Sequence, residues 1–598
     1  MNVYDPEPST KPVVRIKLNA LRFVSALVLW AACVVSARAQ TTQPEYFRTT
    51  GEPGRSGGRI VSAQRAEPKT LNPVVNLDQP SRDVIRRMTA DLIHINRYTQ
   101  KTEPALAKSW TASPDGKSYT LRLRRGILFS DGQPFNADDV VFSFKVYLDE
   151  KVHSPQRDLL IIAERPIVVE KIDDYTVRFT LGQPYAAAER IFDSIAILPR
   201  HLLAQAYEDG KIAQQWGLNT VPDKIAGLGP FRLKQYVPGE RIVLERNPYY
   251  WKMDAKGQKL PYLDELVFVF VSSEDAQAIR FQSGDTDVID RVNAGNFVAL
   301  SRDEKTRNYS LYDAGPSLEY NFLFFNLNDD IASRLPEIAR KQRWFNDVRF
   351  RQAVSSVIDR PAIVRLVFGG RGVPLTTQVT PGNKLWLNTT LSAPQRSLSH
   401  ARELLHAAGF SWRSDGTLAD QNGEPVEFTI VVSSSNAQRM QIATIVQDDL
   451  KQLGMNVHVV PLEFRSALDR IFQSHDYEAA VLGLGSGDVD PTSDTNVWMS
   501  NGQTHVWHLG QKTPATPWEA EIDQLMQKQM VTLDYKRRKR LYDRVQEIIA
   551  EQLPIICIAS PNVLTGARNG LGNFRPAIME HYTLWNVDEL FWRTPPNK

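Results

Sequence analysis

Between residues 426 and 485 three apolar strand patterns alternate with two helical ones, and no other stretch limits the fold as tightly. VEFTIVVS at 426–433, NVHVVPL at 456–462 and YEAAVLGLG at 477–485 read as strands. The run 438–453 has Met440, Ile445, Leu450 and Leu453 among its apolar positions and reads as a helix, and 468–472 lies in another. Strands separated by helical stretches need crossover connections, with the helices covering the faces of the sheet. The segment therefore predicts an α/β lobe.

The last of these strands runs straight into GSGDVDPTSD at 485–494, a Gly-, Ser- and Pro-containing turn with Asp488, Asp490 and Asp494. Ligands of open α/β sheets bind in the crevice outside the carboxyl ends of the strands. A carboxylate there can meet a ligand cation. The competing reading is a solvated turn in which Asp488 or Asp490 caps the backbone. Calcium does not fit: an EF-hand loop needs Gly at its sixth position and Glu at its twelfth, and Ser493 and Met499 stand in those places.

The first half of the chain has a different texture. SYTLRLRRG puts Tyr119, Leu121 and Leu123 on one face, and DYTVRFTL does the same with Tyr175, Val177, Phe179 and Leu181. Period-two alternation with one polar face belongs to antiparallel sheets. Between them, NADDVVFSFKVYL opens on Asn136 as an N-cap, with acids in the first turn and Val140, Val141, Phe144 and Leu148 as the apolar stripe. FRLKQYVPGERIVLE predicts a hairpin turning at Pro238-Gly239.

A chain of 598 residues exceeds what one core organises, so several domains are expected. The formal charge is +3, and residues 1–39, with five basic and two acidic groups, account for all of it. The rest is neutral and has no general electrostatic reason to bind nucleic acid. Those 39 residues read as a secretory signal: a basic start, the apolar run FVSALVLWAACVV, and Ala37-Arg38-Ala39 as a cleavage site before Gln40. Lipid attachment at Cys33 is the weaker alternative, because Trp30 stands where a lipobox wants a small or aliphatic residue. With Cys33 removed, Cys557 is alone, inside the apolar LPIICIAS, and reads as a core residue.

Catalytic and metal motifs are weak. Gly54-Arg55-Ser56-Gly57-Gly58 has a hydrolase-like spacing but follows a polar stretch instead of a strand. Gly116-Lys117-Ser118 is a hairpin turn, since Thr111 stands where a phosphate loop needs its leading Gly. The ten histidines show no zinc spacing, and His505 and His508 beside Trp507 read as surface or packing residues. No cofactor, metal or enzymatic activity is expected.

ALAKSWTASPDGKSYTLRLRRGILFSDGQPFNADDVVFSFKVYL, from Ala105, resembles the signature region of the extracellular solute-binding protein family 5, the oligopeptide-, dipeptide- and nickel-binding proteins of bacterial ABC importers. GLGPFRLKQYVPGERIVLERNPYYW, FNDVRFRQAVSSVIDRPAIV, ARELLHAAGF, SGDVDPTSD and LYDRVQEIIAEQLPII follow in the family's order. The resemblance implies a type II periplasmic-binding-protein-like α/β fold, two lobes joined by a hinge, with an extra antiparallel α+β subdomain in the first lobe. It places the signal at 1–39, a linker at 40–57, the first lobe at 58–317 with its subdomain at about 100–224, the second lobe at 318–555, and a return to the first at 556–598. It implies a periplasmic monomer that passes a small-molecule or peptide ligand to an ABC permease in the inner membrane.

By resemblance, Asp488 holds a peptide's α-ammonium, with Ser486, Gly487 and Asp490 around it, and Leu71-Asn72-Pro73 lies against the ligand backbone. Trp386 and Trp498 are candidate aromatic walls, with a place in the core the competing reading for each. One departure stands out. Peptide binders of the family carry the aspartate four residues before the loop proline, whereas Asp488 lies three before Pro491 and Gly487 takes the fourth place. An oligosaccharide or opine ligand is the alternative within the family, and a secreted hydrolase the alternative outside it.

Overall fold

The computed structural model describes Met1, residues 44–485 and residues 487–594. The expected signal, Gln40, Cys33 and Ser486 lie outside the described residues.

A 12-stranded sheet runs through the molecule in two halves. The first half is ordered Phe231–Val237, Arg241–Arg246, Glu265–Phe270, Arg59–Gln64, Val288–Ile289. The second is ordered Glu319–Phe325, Ala479–Gly485, Glu427–Ser433, Asn456–Leu462. The strand–helix–strand reading of 426–485 holds: Glu427–Ser433 pairs in parallel with both Asn456–Leu462 and Ala479–Gly485.

One long strand, Ile555–Arg568, belongs to both halves. Its beginning pairs with Glu319–Phe325 and with Gly372–Pro374, up to Pro561. From Asn562 on it pairs with Tyr309–Pro316, and near its end also with Val288–Ile289. The change of partner thus falls at Pro561/Asn562, not at 555/556. Proline has no N–H for a ladder, which suits Pro561 to the switch.

Strand alternation explains the covering of the second half. Leu323, Phe325, Phe428, Ile430, Val432 and Val481 pack into one core. Tyr320, Phe322, Phe324, Val431, Ala480 and Leu482 point to the opposite face and pack into another. Both faces are buried, as parallel sheets require. Cys557 is 1% exposed in this interior, and burial pushes its thiol up to about 12.

The first half carries a separate four-stranded antiparallel sheet, ordered Ala107–Ala112, Ser118–Leu123, Thr176–Thr180, Val168–Asp173. Tyr119, Leu121, Leu123, Val177 and Phe179 are buried as the alternation predicts. Helix Ala137–Leu148 lies against it, started by a capping box between Asn136 and Asp139. Its buried face is wider than the expected stripe: Phe142, Val146 and Tyr147 are inside, while Val141 and Leu148 are only half-buried.

The described part of the expected linker is docked. Phe47–Arg48 pairs with Lys252–Met253, and the Glu45 carboxylate accepts from Lys108 Nζ at 2.7 Å and Arg125 N at 3.0 Å. The Phe47 ring lies under the Arg124 guanidinium at 5.3 Å and edge-on to Trp251 at 6.3 Å. No helix among the described residues is long and apolar enough to cross a membrane.

Candidate functional site

The turn at 487–494 leaves the carboxyl end of Ala479–Gly485, between strands Glu319–Phe325 and Glu427–Ser433. Two cavities meet there. The larger, ≈ 880 Å³, is lined from both halves: Arg65, Arg291 and Tyr582 from the first, Glu319, Arg371 and Arg439 from the second. The smaller, ≈ 340 Å³, lies mainly against the first half, with Pro73, Asn76, Tyr147 and Asp193 in its wall. Gly487 and Glu580 line both, and Asp488 lines the smaller.

The charged groups of the larger cavity are held by neighbours. Helix Ala437–Lys451 starts just after its strand, with Asn436 as N-cap accepting from Arg439 N at 2.9 Å. Arg439 reaches back over the strand ends, donating to Asn321 Oδ1 at 3.1 Å and Glu319 Oε1 at 3.0 Å. Gly483 makes this possible, because a Cβ there would stand 2.3 Å from the Arg439 guanidinium. Arg65 pairs with Glu274, and the Arg371 guanidinium lies 4.3 Å from the Phe297 ring centre. Arg291 lies over the Tyr582 ring at 5.5 Å. Such a wall offers cations and carboxylates at fixed points for a ligand of mixed charge.

The two aspartates have different partners. Asp488 engages Arg190, from helix Ala188–Ser194 of the first half, through both carboxylate oxygens. Asp490 turns inward and takes a bidentate pair from Arg538 at 2.7 and 2.6 Å, while accepting from Thr492 N at 3.0 Å. Burial acts to raise the Asp490 carboxyl, and Arg538 outweighs it, so the group is held below the usual carboxylate range. Asp490 fixes the turn.

Other expected site residues lie elsewhere. Trp386 and Trp498 are 3% and 1% exposed and belong to the second half's core, so neither forms a cleft wall. The Arg538 guanidinium lies over the Trp386 ring at 4.8 Å, Tyr535 and Tyr542 meet that ring edge-on, and the Trp498 ring centre lies 5.8 Å from that of Trp507. Indoles of this size gain most from burial where the interior has room. Leu71 is fully buried. Asn72 spends its side chain on the turn, donating to Ile212 O at 2.8 Å and accepting from Val74 N at 2.9 Å. Of that trio Pro73 lines the smaller cavity.

The sequence reading missed Arg190, Arg291, Arg371 and Arg439. Arg439 had a signal, since it follows a strand end in the first turn of a predicted helix. Arg190 had none, because its partner is 298 positions away.

One cluster has ligand-type groups: Asp91, His94 and Asp193 offer atoms within 4.8 Å of one another beside the smaller cavity. Arg97 and Arg86 already sit on Asp193 at 2.7 and 2.9 Å, and Arg86 on Asp91 at 3.1 Å. Burial pushes Asp193 up, but the two guanidinium groups override it and hold the carboxyl well below its usual range. They supply the countercharge a metal ion would bring, so the cluster is a buried salt network.

Comparison with known proteins places this architecture. The chain is 29% identical over 567 residues to a probable ABC transporter-binding protein of Deinococcus radiodurans, covering 91% of this chain and 94% of the relative. It is 26% identical to the oligopeptide-binding protein AppA of Bacillus subtilis, covering 91% and 94%. The structure of that AppA in complex with a nonapeptide matches with a TM-score of 0.66 at 24% identity, over 91% of this chain and 100% of that one. The substrate-binding protein CtaP of Listeria monocytogenes matches with a TM-score of 0.73 at 23% identity, over 90% and 100%. The family model of the bacterial extracellular solute-binding proteins, family 5 Middle, matches residues 101–505. With a two-lobed sheet, a cavity lined from both lobes and that match, the chain belongs to the bacterial extracellular solute-binding proteins, family 5.

Proposed function

We propose that the protein binds a short peptide-like solute in the ≈ 880 Å³ cavity between its lobes and delivers it to an ABC permease. The observation that carries this reading is the cavity wall: Arg291 and Arg65 from one lobe, Arg439 and Glu319 from the other, each held by a neighbour. A zwitterionic chain with amide donors and acceptors complements a wall of fixed guanidinium groups with a carboxylate among them. The volume lies within the roughly 300–1,000 Å³ typical of enclosed ligand sites. Relatives carry the names oligopeptide-binding and di/tripeptide-binding protein. A stacked sugar loses support with Trp386 and Trp498 in the core.

On this reading the division of the chain follows the sheet. The first lobe, with its antiparallel subdomain, precedes Pro316; the second spans Glu319 to Pro561; and the long strand Ile555–Arg568, with the link at 316–319, acts as the hinge. The mature protein is a periplasmic monomer beginning at Gln40. Mass spectrometry of protein isolated undenatured from its host tests both points at once. The reading expects released peptides of a few residues and a chain starting at Gln40. A sugar, opine or metal chelate as the released species replaces the peptide reading.

A further inference from the structure

Three of the hydrogen-bonded contacts among the described residues join the subdomain of the first lobe to the second lobe around Asp488 and Gly382. Arg190 Nε and Nη2 hold the two oxygens of Asp488. Gln100 Nε2 donates to Gly382 O at 2.8 Å, and Ala186 N donates to Met530 O at 2.7 Å. The contacts brace one another. Arg190 Nη1 also donates to Gln100 O at 3.4 Å, and Asn383, next to Gly382, donates to the carbonyl of Val489, next to Asp488, at 2.8 Å.

Arg190 is fixed from behind, because Ala188, Ile191 and Phe192 of its short helix are buried. The two side chains are 13% and 24% exposed, so the pair is partly shielded from solvent. Bidentate arginine–carboxylate pairs are among the strongest charge-assisted hydrogen bonds. A ligand cation reaching Asp488 must displace a guanidinium that the fold itself supplies. Asp490 offers no substitute, since Arg538 holds both its oxygens.

We propose that Arg190 is a specificity-determining residue: it is the resident cation of Asp488, latches the lobes through that pair, and removes ammonium recognition from this loop. The latch stands on the contacts alone, while the consequence for specificity rests on the peptide reading above. With the carboxylate already matched, peptides lacking a free amino terminus lose nothing at this point.

The test uses full-length mature protein stripped of ligand, with Arg190→Met and, as a second route to the same break, Asp488→Asn. Small-angle scattering without ligand should give a larger radius of gyration for both variants than for wild type. Equal radii overturn the latch. Protein is then incubated with a tripeptide library, either free or N-acetylated, and the retained species are quantified by mass spectrometry. Wild type should retain both forms equally, and Arg190→Met should prefer free amines by at least about tenfold. A tenfold preference for free amines in wild type, or none in Arg190→Met, overturns the specificity claim. If wild type retains neither form while the scattering behaves as expected, the latch is supported and the peptide reading has failed.

Discussion

Asp488 and Asp490 stand two positions apart, yet one reaches the opposite lobe and the other its own core. The sequence placed both in one turn at a cleft mouth and left open which of them caps the backbone. It held no cue for Arg190, because a distant arginine becomes a partner only through the fold. The two tryptophans stayed open between wall and core for a related reason: an indole looks the same in sequence whether it lines a cleft or fills a core. A residue-scale prediction comes from Asp290, beside the larger cavity's Arg291. Burial pushes its carboxyl from 3.8 up to about 7, against the pull of Arg291, and its Oδ1 has no hydrogen-bond partner among the described residues. Between those two values the folded protein keeps a proton that the unfolded chain has lost. Stability therefore falls as the pH rises from about 4 to about 7, and this cost is absent below the unfolded value. Asp290→Asn should melt higher than wild type at pH 8, and the gap should close at pH 4. Equal melting temperatures at pH 8 would show that the carboxyl is ionised at no cost.

At the scale of elements, local rules were readable where neighbours in sequence are neighbours in space. The capping box at Asn136, the hairpin at Gly239 with its positive φ of 72°, and the period-two strands of the subdomain all follow from adjacent residues. The width of helix Ala137–Leu148's buried face did not, because it depends on how many layers cover it. The segment 44–57 failed for the same reason. Polar and short, it reads as a linker, but Phe47 and Glu45 find Trp251, Lys108 and Arg125 far along the chain. If that strap is structural, a chain beginning at residue 58 should melt lower than one beginning at Gln40. Fully burying an aromatic side chain is worth roughly 1.5–3 kcal/mol, and half-buried Phe47 contributes part of that, enough for calorimetry to resolve. Unchanged melting would return the segment to a passive tether.

At the scale of the whole molecule, the sequence showed two textures and the order of family motifs, which together implied two lobes. It blurred their junction, because IICIASPNVLTGAR is one continuous strand that serves both halves of the sheet. Only the pairing shows that the change of partner falls at Pro561/Asn562. Ligand that touches both lobes favours closure by its differential affinity for the closed state. The central claim is therefore that one solute is held from both sides at once. Calorimetric titration of the peptide identified from the host, against wild type, Arg291→Met and Arg439→Met, tests it most directly. Each variant should bind at least about tenfold more weakly, near 1.4 kcal/mol, with its melting temperature kept. Wild-type affinity in both variants, or a loss confined to one lobe, would contradict enclosure between the two.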